Sequence, residues 1–150
     1  MFETFAEIKK IFDFDIYKLM DKAVKGQTDK IIAFNQGQLQ DGMDALGQTI
    51  TTIGGSPYRP KTVRMRKAKH LQTNKVDLKF TGEFYKTFRV VILQNGYEVT
   101  ANFEKPDGSI LDNFSSSYDF LGLDQASLTE WVDEELFPIL AQLIRKKIGL

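Results

Sequence analysis

The chain has 150 residues, 42% apolar and 27% charged, with 20 Lys and Arg against 20 Asp and Glu. That is one domain's worth of chain with enough apolar character to bury a core, which excludes wholesale disorder, and a formal charge of zero excludes a uniformly basic nucleic-acid binder. The absence of Cys excludes a disulfide framework, a thiolate nucleophile and a Cys-based zinc site.

In chain order, Phe2, Phe5, Ile8, Phe12, Ile16, Leu19, Met20 and Ala23 recur every three or four residues. This spacing predicts a helical segment over 2–24, with Asp13 and Asp15 marking a break and Lys25-Gly26 a stop. Acidic Glu3 and Glu7 stand where a signal peptide would be basic and then apolar, so no secretion signal is read. A second helix is expected to start at Thr28 as N-cap and to end at Gly37. Residues 36–60, rich in Gly and closed by Pro57 and Pro60, predict irregular structure with at most a short strand or hairpin. Pro60 suits the boundary of a helix over 61–71.

The alternation of Val76, Leu78 and Phe80 with Lys75, Asp77 and Lys79 predicts a strand. Asn95-Gly96 is a type I′ hairpin signal. That turn pairs Gln94 with Tyr97, Ile92 with Val99, Val90 with Ala101 and Phe88 with Phe103 on one apolar face. Lys105-Pro106-Asp107-Gly108 predicts a second turn, followed by a short strand near Ile110. The last helix is expected to open on a Ser127–Glu130 capping box and to bend or restart at Pro138, with Val132, Leu136, Ile139, Leu140, Leu143 and Ile144 buried. No run of apolar residues is long enough for a membrane-spanning helix.

Candidate chemistry was sought in four constellations. Gly42 to Thr49 has P-loop spacing, but Gln48 stands where the phosphate-binding lysine belongs and no apolar strand precedes it. His70, the single histidine, lies among Lys67, Lys69 and Leu71 and reads as an exposed side chain rather than a triad member. Asp13 with Asp15, and Asp41 with Asp44, lack the dense oxygen spacing of a calcium loop and read as solvated acids. No pair of carboxylates is placed for acid–base catalysis, so no enzyme, cofactor or metal is expected.

Local charge is more informative than the total. Arg59, Lys61, Arg64, Arg66, Lys67 and Lys69 fall within 59–70 with no acid among them. Glu104, Asp107, Asp112, Asp119, Asp124, Glu130, Asp133, Glu134 and Glu135 fall within 104–135 with Lys105 as the single base. Two solvated faces would account for this. A head-to-tail contact between the basic patch of one copy and the acidic patch of the next would close into a ring. The basic segment could equally meet phosphate backbone, non-specifically and in a salt-sensitive way.

The stretch Leu78 to Val90, with Thr81, Gly82, Phe84 and Thr87 at its motif positions, resembles the head–tail connector, neck and tail-completion proteins of tailed bacteriophages. The layout of N-terminal helix, basic Pro/Gly-rich middle, motif, hairpin and C-terminal amphipathic helix is similar too. The segments Asn35 to Gly47 and Phe120 to Leu123 further resemble parts of phage structural proteins. One departure is Ser115 to Phe120, where such proteins carry an acidic residue followed by Gly-Thr. In bottom-up terms, Thr81 caps a helical turn, Gly82 lets the backbone enter it, and Phe84 and Phe88 share a face.

The fold expected is α+β: a small, mainly antiparallel sheet with a central hairpin packed against a C-terminal amphipathic helix, plus N-terminal helices. Residues 1–24 are expected to form a helical extension and 25–150 a single connector-like domain. The resemblance implies a non-enzymatic virion protein, made in the bacterial host cytoplasm and sited in the neck or tail region. It would form a homo-oligomeric ring around the DNA path, touching portal, neck or tail proteins and no membrane, with the six basic residues of 59–70 at a subunit interface or channel wall. The alternative is a small nucleic-acid-binding or regulatory protein acting through the same basic segment.

Overall fold

The computed structural model describes residues 15–94 and 96–150. Helix α1 (Ile16–Lys25) starts where the Asp15 carboxylate accepts the Tyr17 and Lys18 N–H groups, at 3.0 and 3.4 Å. It ends at Lys25, before Gly26, as the sequence predicts. The remainder of the helix expected over 2–24, Asp13 included, lies outside the described residues. Over its described part, the segment expected to be an extension joins the common core: Ala23 is 1% exposed and α1 packs against the last helix.

Helix α2 (Thr28–Gln40) buries Ile31, Asn35, Gln38 and Leu39, a single stripe at helical spacing. Its cap position is Gln27, and Thr28 is already helical. Gly37 does not end it. The end comes at Gly42, whose φ of 78° permits a Schellman closure, with Gly42 N–H donating to Leu39 and Met43 N–H to Gln38. Helix α3 (Pro60–Ala68) begins on Pro60 as expected but stops three residues short of the predicted end. His70 there adopts φ 56°, while its N–H and that of Leu71 donate to the carbonyls of Lys67 and Arg66. This is again a Schellman closure, with a histidine in glycine's place.

No strand forms over 76–80. Leu78 has φ 53°, which breaks the extended run, and Asp77 turns inward rather than to solvent. A four-residue helical turn, α4 (Glu83–Lys86), leads into the hairpin of β1 (Arg89–Leu93) and β2 (Gly96–Thr100). The hairpin is antiparallel, but Leu93 faces Gly96, Ile92 faces Tyr97 and Val90 faces Val99. Gly96 is thus already a strand residue paired with Leu93 rather than part of the turn. Moving the turn by one residue slides the partners by two, so the same side chains stay on the same face. Phe88 and Val99 are buried, while Arg89, Val91, Leu93 and Glu98 are exposed, as the alternation predicts.

The second turn brings together β3 (Glu104–Lys105) and β4 (Gly108–Ser109) around Pro106 and Asp107. Ile110 then opens a 3₁₀ turn (Ile110–Asn113), not a strand, because Ser109 and Asp112 form a capping box there. Helix α5 (Gln125–Trp131) is capped by Asp124, whose carboxylate accepts the Ser127 N–H at 2.7 Å. The cap is three residues earlier than predicted and Ser127 lies inside the first turn. A π-helical turn (Val132–Leu136) separates α5 from α6 (Phe137–Ile148). Pro138 accounts for it: with no N–H to give, it frees a carbonyl one turn back, and the ladder absorbs the break by widening.

The fold is α+β, with two two-stranded antiparallel ladders among helices. The hairpin lies over α2, and Tyr97 meets Trp131 edge to face at 5.6 Å, tying the sheet to the C-terminal helical segment. Phe84, Phe88, Phe103, Phe114 and Phe120 join them in the core as successive aromatic contacts at 5.0–6.2 Å. Among the described residues no helix is long and apolar enough to cross a membrane.

Candidate assembly interface

Helix α3 divides the basic segment in two. Val63 and Arg66 sit three residues apart and turn inward, and Arg66 is only 3% exposed. Its guanidinium donates to both Asp77 carboxylate oxygens at 3.0 Å, to the Gln72 carbonyl at 2.7 Å and to the Lys79 carbonyl at 3.2 Å. It also lies 4.6 Å from the Tyr58 ring centroid. A guanidinium paired with a carboxylate and bonded through every nitrogen is a form in which a buried cation is tolerated. Asp77 further accepts from Tyr58 Oη and Gln72 Nε2, and the Tyr85 hydroxyl donates to its carbonyl. Burial pushes the Tyr58 hydroxyl up to about 12, and burial, with Asp77 next, pushes Tyr85 up as well. Arg66, buried and with all three guanidinium nitrogens engaged, is thus a core residue and not part of an exposed basic face.

The other basic residues face solvent. Lys61, Arg64, Met65 and Ala68 follow the i, i+3, i+4, i+7 spacing of one helix face and all are exposed, with Lys67 on its flank. Among the described residues none of Lys61, Arg64 and Lys67 forms an ion pair. Arg59 and Lys69 are partly committed: Arg59 Nε donates to the Ile53 carbonyl, and the Lys69 ammonium lies 5.3 Å from the Phe80 ring centroid.

The motif residues build the wall next to this helix. Thr81 Oγ1 accepts the Glu83 N–H at 3.3 Å, and Gly82, at φ 87°, turns the chain into α4. Phe84 is buried and packs against Phe88 edge to face at 5.2 Å. Thr87 Oγ1 donates to the Phe84 carbonyl and accepts the Asn102 N–H, at 2.7 and 2.9 Å. The hydroxyls therefore brace the helical turn and pin it to the strand end, with Gly82 rather than Thr81 at the cap position. Motif, α3 and the β3–β4 turn enclose a groove of about 690 Å³.

The acidic segment is divided as well. Asp112 and Asp124 cap helical turns, and Asp119 Oδ1 accepts the Leu121 N–H. Glu130, Asp133 and Glu134 are exposed and form no ion pair among the described residues. Between α2 and α5 runs a second groove, about 550 Å³, whose apolar lining is Ala33, Phe34, Met43 and Ala126. Asp41, Asp124, Glu130 and Glu135 line it against a single base, Lys30, which pairs with Glu135 at 3.1 Å.

Three polar residues that hold this groove's wall were not legible as such. Asp44, read as a solvated acid, is fully buried, and its carboxylate accepts the N–H groups of Leu46, Gln48 and Asp119 at 3.0, 2.7 and 3.1 Å. The N–H groups that a P-loop would offer a phosphate are taken up by this carboxylate. Asn35 and Gln38, on the inner face of α2, clasp the 120–124 segment. Asn35 donates to the Phe120 carbonyl and accepts the Gly122 N–H, and Gln38 donates to the Gly122 carbonyl and accepts the Asp124 N–H, at 2.7–3.1 Å. Asn35 and Gln38 thus tie the 35–47 segment to residues 120–124. His70 is exposed at the end of α3, and no group of three or more His, Asp or Glu able to hold a metal exists among the described residues. Asp41, unlike Asp44, is exposed, and it pairs with Lys75 at 3.2 Å.

No protein-family model, curated protein or solved structure matches the chain.

Proposed function

We propose that the protein is a non-enzymatic structural subunit that associates head to tail with copies of itself, as a ring at the head–tail junction of a tailed-phage virion. The observation that carries this reading is the separation of charge in a neutral chain. An exposed cationic helix face and an exposed anionic surface occupy different parts of one molecule, and among the described residues neither Lys61, Arg64 and Lys67 nor Glu130, Asp133 and Glu134 form an ion pair. Two different, mutually attractive patches are what a heterologous contact requires, and repeated heterologous contacts close into rings when the rotation allows. The phage setting rests on the resemblance at Thr81, Gly82, Phe84 and Thr87, and the ring would leave the DNA path open along its axis.

Light scattering with particle imaging of the purified protein tests the reading. Concentration-dependent growth to closed rings supports it, and a monomer at every concentration, also with portal and tail proteins added, ends it. The exposed set Lys61, Arg64 and Lys67 also favours a second reading, contact with a nucleic-acid backbone. In that case the isolated monomer binds DNA with a salt slope that falls by about 1 for each of those residues neutralised.

A further inference from the structure

We infer that the groove between α2 and α5 is the docking site for helix α3 of a second copy of this chain. The inference rests on the head-to-tail reading above and names its two surfaces.

The match is chemical in two respects. The outward face of α3 carries Arg64 and Lys61 with Ala68 between them, Lys67 on one flank and Met65, 48% exposed, on the other. The groove is lined by apolar Ala33, Phe34, Met43 and Ala126 and by acidic Asp41, Asp124, Glu130 and Glu135, of which Glu130 has no partner among the described residues. A flexible thioether set against the apolar lining loses its contact with water, while Lys61 and Arg64 beside it reach Glu130 and the acids at the groove's edge. Just beyond the rim, exposed Asp133 and Glu134 extend the negative surface along the π-helical turn. The residues of α3 and those lining the groove are separate sets, so a copy can use both at once. Within one chain the charge contact is not made: Lys61, Arg64, Lys67, Glu130, Asp133 and Glu134 form no ion pairs among the described residues. A second copy satisfies both surfaces, and its own free groove and free helix carry the assembly onward.

Two charge-inverted variants test the assignment. In the first, Lys61→Glu, Arg64→Glu and Lys67→Glu invert the helix face. In the second, Glu130→Lys and Glu134→Lys invert the rim. All five side chains are exposed, and circular dichroism checks that both variants fold. Each variant alone is expected to associate at least about tenfold more weakly than the unchanged chain, since like charges then face each other. Mixed in equal amounts, the two are expected to recover assembly by alternating along it. The intact groove of the first accepts the intact helix of the second, and the acidic inverted helix of the first meets the basic inverted rim of the second. If both variants assemble as the unchanged chain does, this pair of surfaces is wrong while head-to-tail association stands. If the unchanged chain is itself monomeric, the association reading fails and this assignment falls with it.

Discussion

The Arg66–Asp77 pair sits where either partner alone would be a buried, uncompensated charge, with the two side chains 3% and 12% exposed. Asp77→Ala strips the guanidinium of its bidentate partner and Tyr58 of its acceptor, so it should cost about 3–5 kcal/mol in urea unfolding. Asp77→Asn keeps the shape but not the charge and should cost less. The same cluster gives the protein an alkaline limit. Tyr58 titrates near 10 when unfolded and at about 12 when folded, and burial holds Tyr85 and Tyr97 up as well. Above pH 10 the unfolded chain releases protons that the folded chain retains, so stability present below pH 10 is lost as pH rises toward 12. The slope is roughly 1 kcal/mol per pH unit for each tyrosine still protonated. The tyrosinate absorbance of the buried tyrosines, taken as the part that a Tyr58→Phe, Tyr85→Phe variant lacks, should therefore rise together with the loss of helical circular dichroism. That part rising in a still-folded protein would contradict it.

At the scale of elements, the ends are where composition and structure part. His70 occupies a left-handed position that costs an ordinary residue about 1–2 kcal/mol, and its side chain is exposed. His70→Gly should therefore raise stability by about 1 kcal/mol in thermal unfolding, with α3 unchanged. A loss would mean that the imidazole has a partner. Helix existence was legible because α1 and α6 carry periodic apolar positions and Pro60 marks the start of α3, and the hairpin faces were legible because period-two alternation survives a two-residue slide. Helix ends and caps were less so. Gly37 has open space around it and is carried inside α2, and Asp124 outcompetes Ser127 because it sits directly before the first helical residue. The strand expected over 76–80 failed for a similar reason. Alternation places Asp77 on a solvent face, and only the inward reach of Arg66, six residues before Gln72 and eleven before Asp77, draws it into the core. The candidate interface was legible as charge along the chain, but not as a groove, because Asp41, Glu130 and Glu135 come together only across α2 and α5.

For the whole molecule, association through exposed charges should weaken with salt. Between about 0.1 M and about 1 M, the Debye length falls from ~10 to ~3 Å, and the association constant should fall with it. An association that strengthens with salt would point to an apolar contact instead. The basic segment enters this balance with Arg66 removed, since its charge is neutralised internally by Asp77.

The clasp of Asn35 and Gln38 on the 120–124 segment has a dynamic consequence. Side-chain amides there occupy the positions that a neighbouring strand would fill, accepting from Gly122 and Asp124 while donating to Phe120 and Gly122. The N–H groups of Gly122 and Asp124 lie in or beside a loop, yet they should exchange with deuterium as slowly as those of α2, because releasing them requires α2 itself to open. Asn35→Ala should restore rapid exchange at Gly122 first, which would show that a stretch without regular secondary structure opens only together with the helix that holds it.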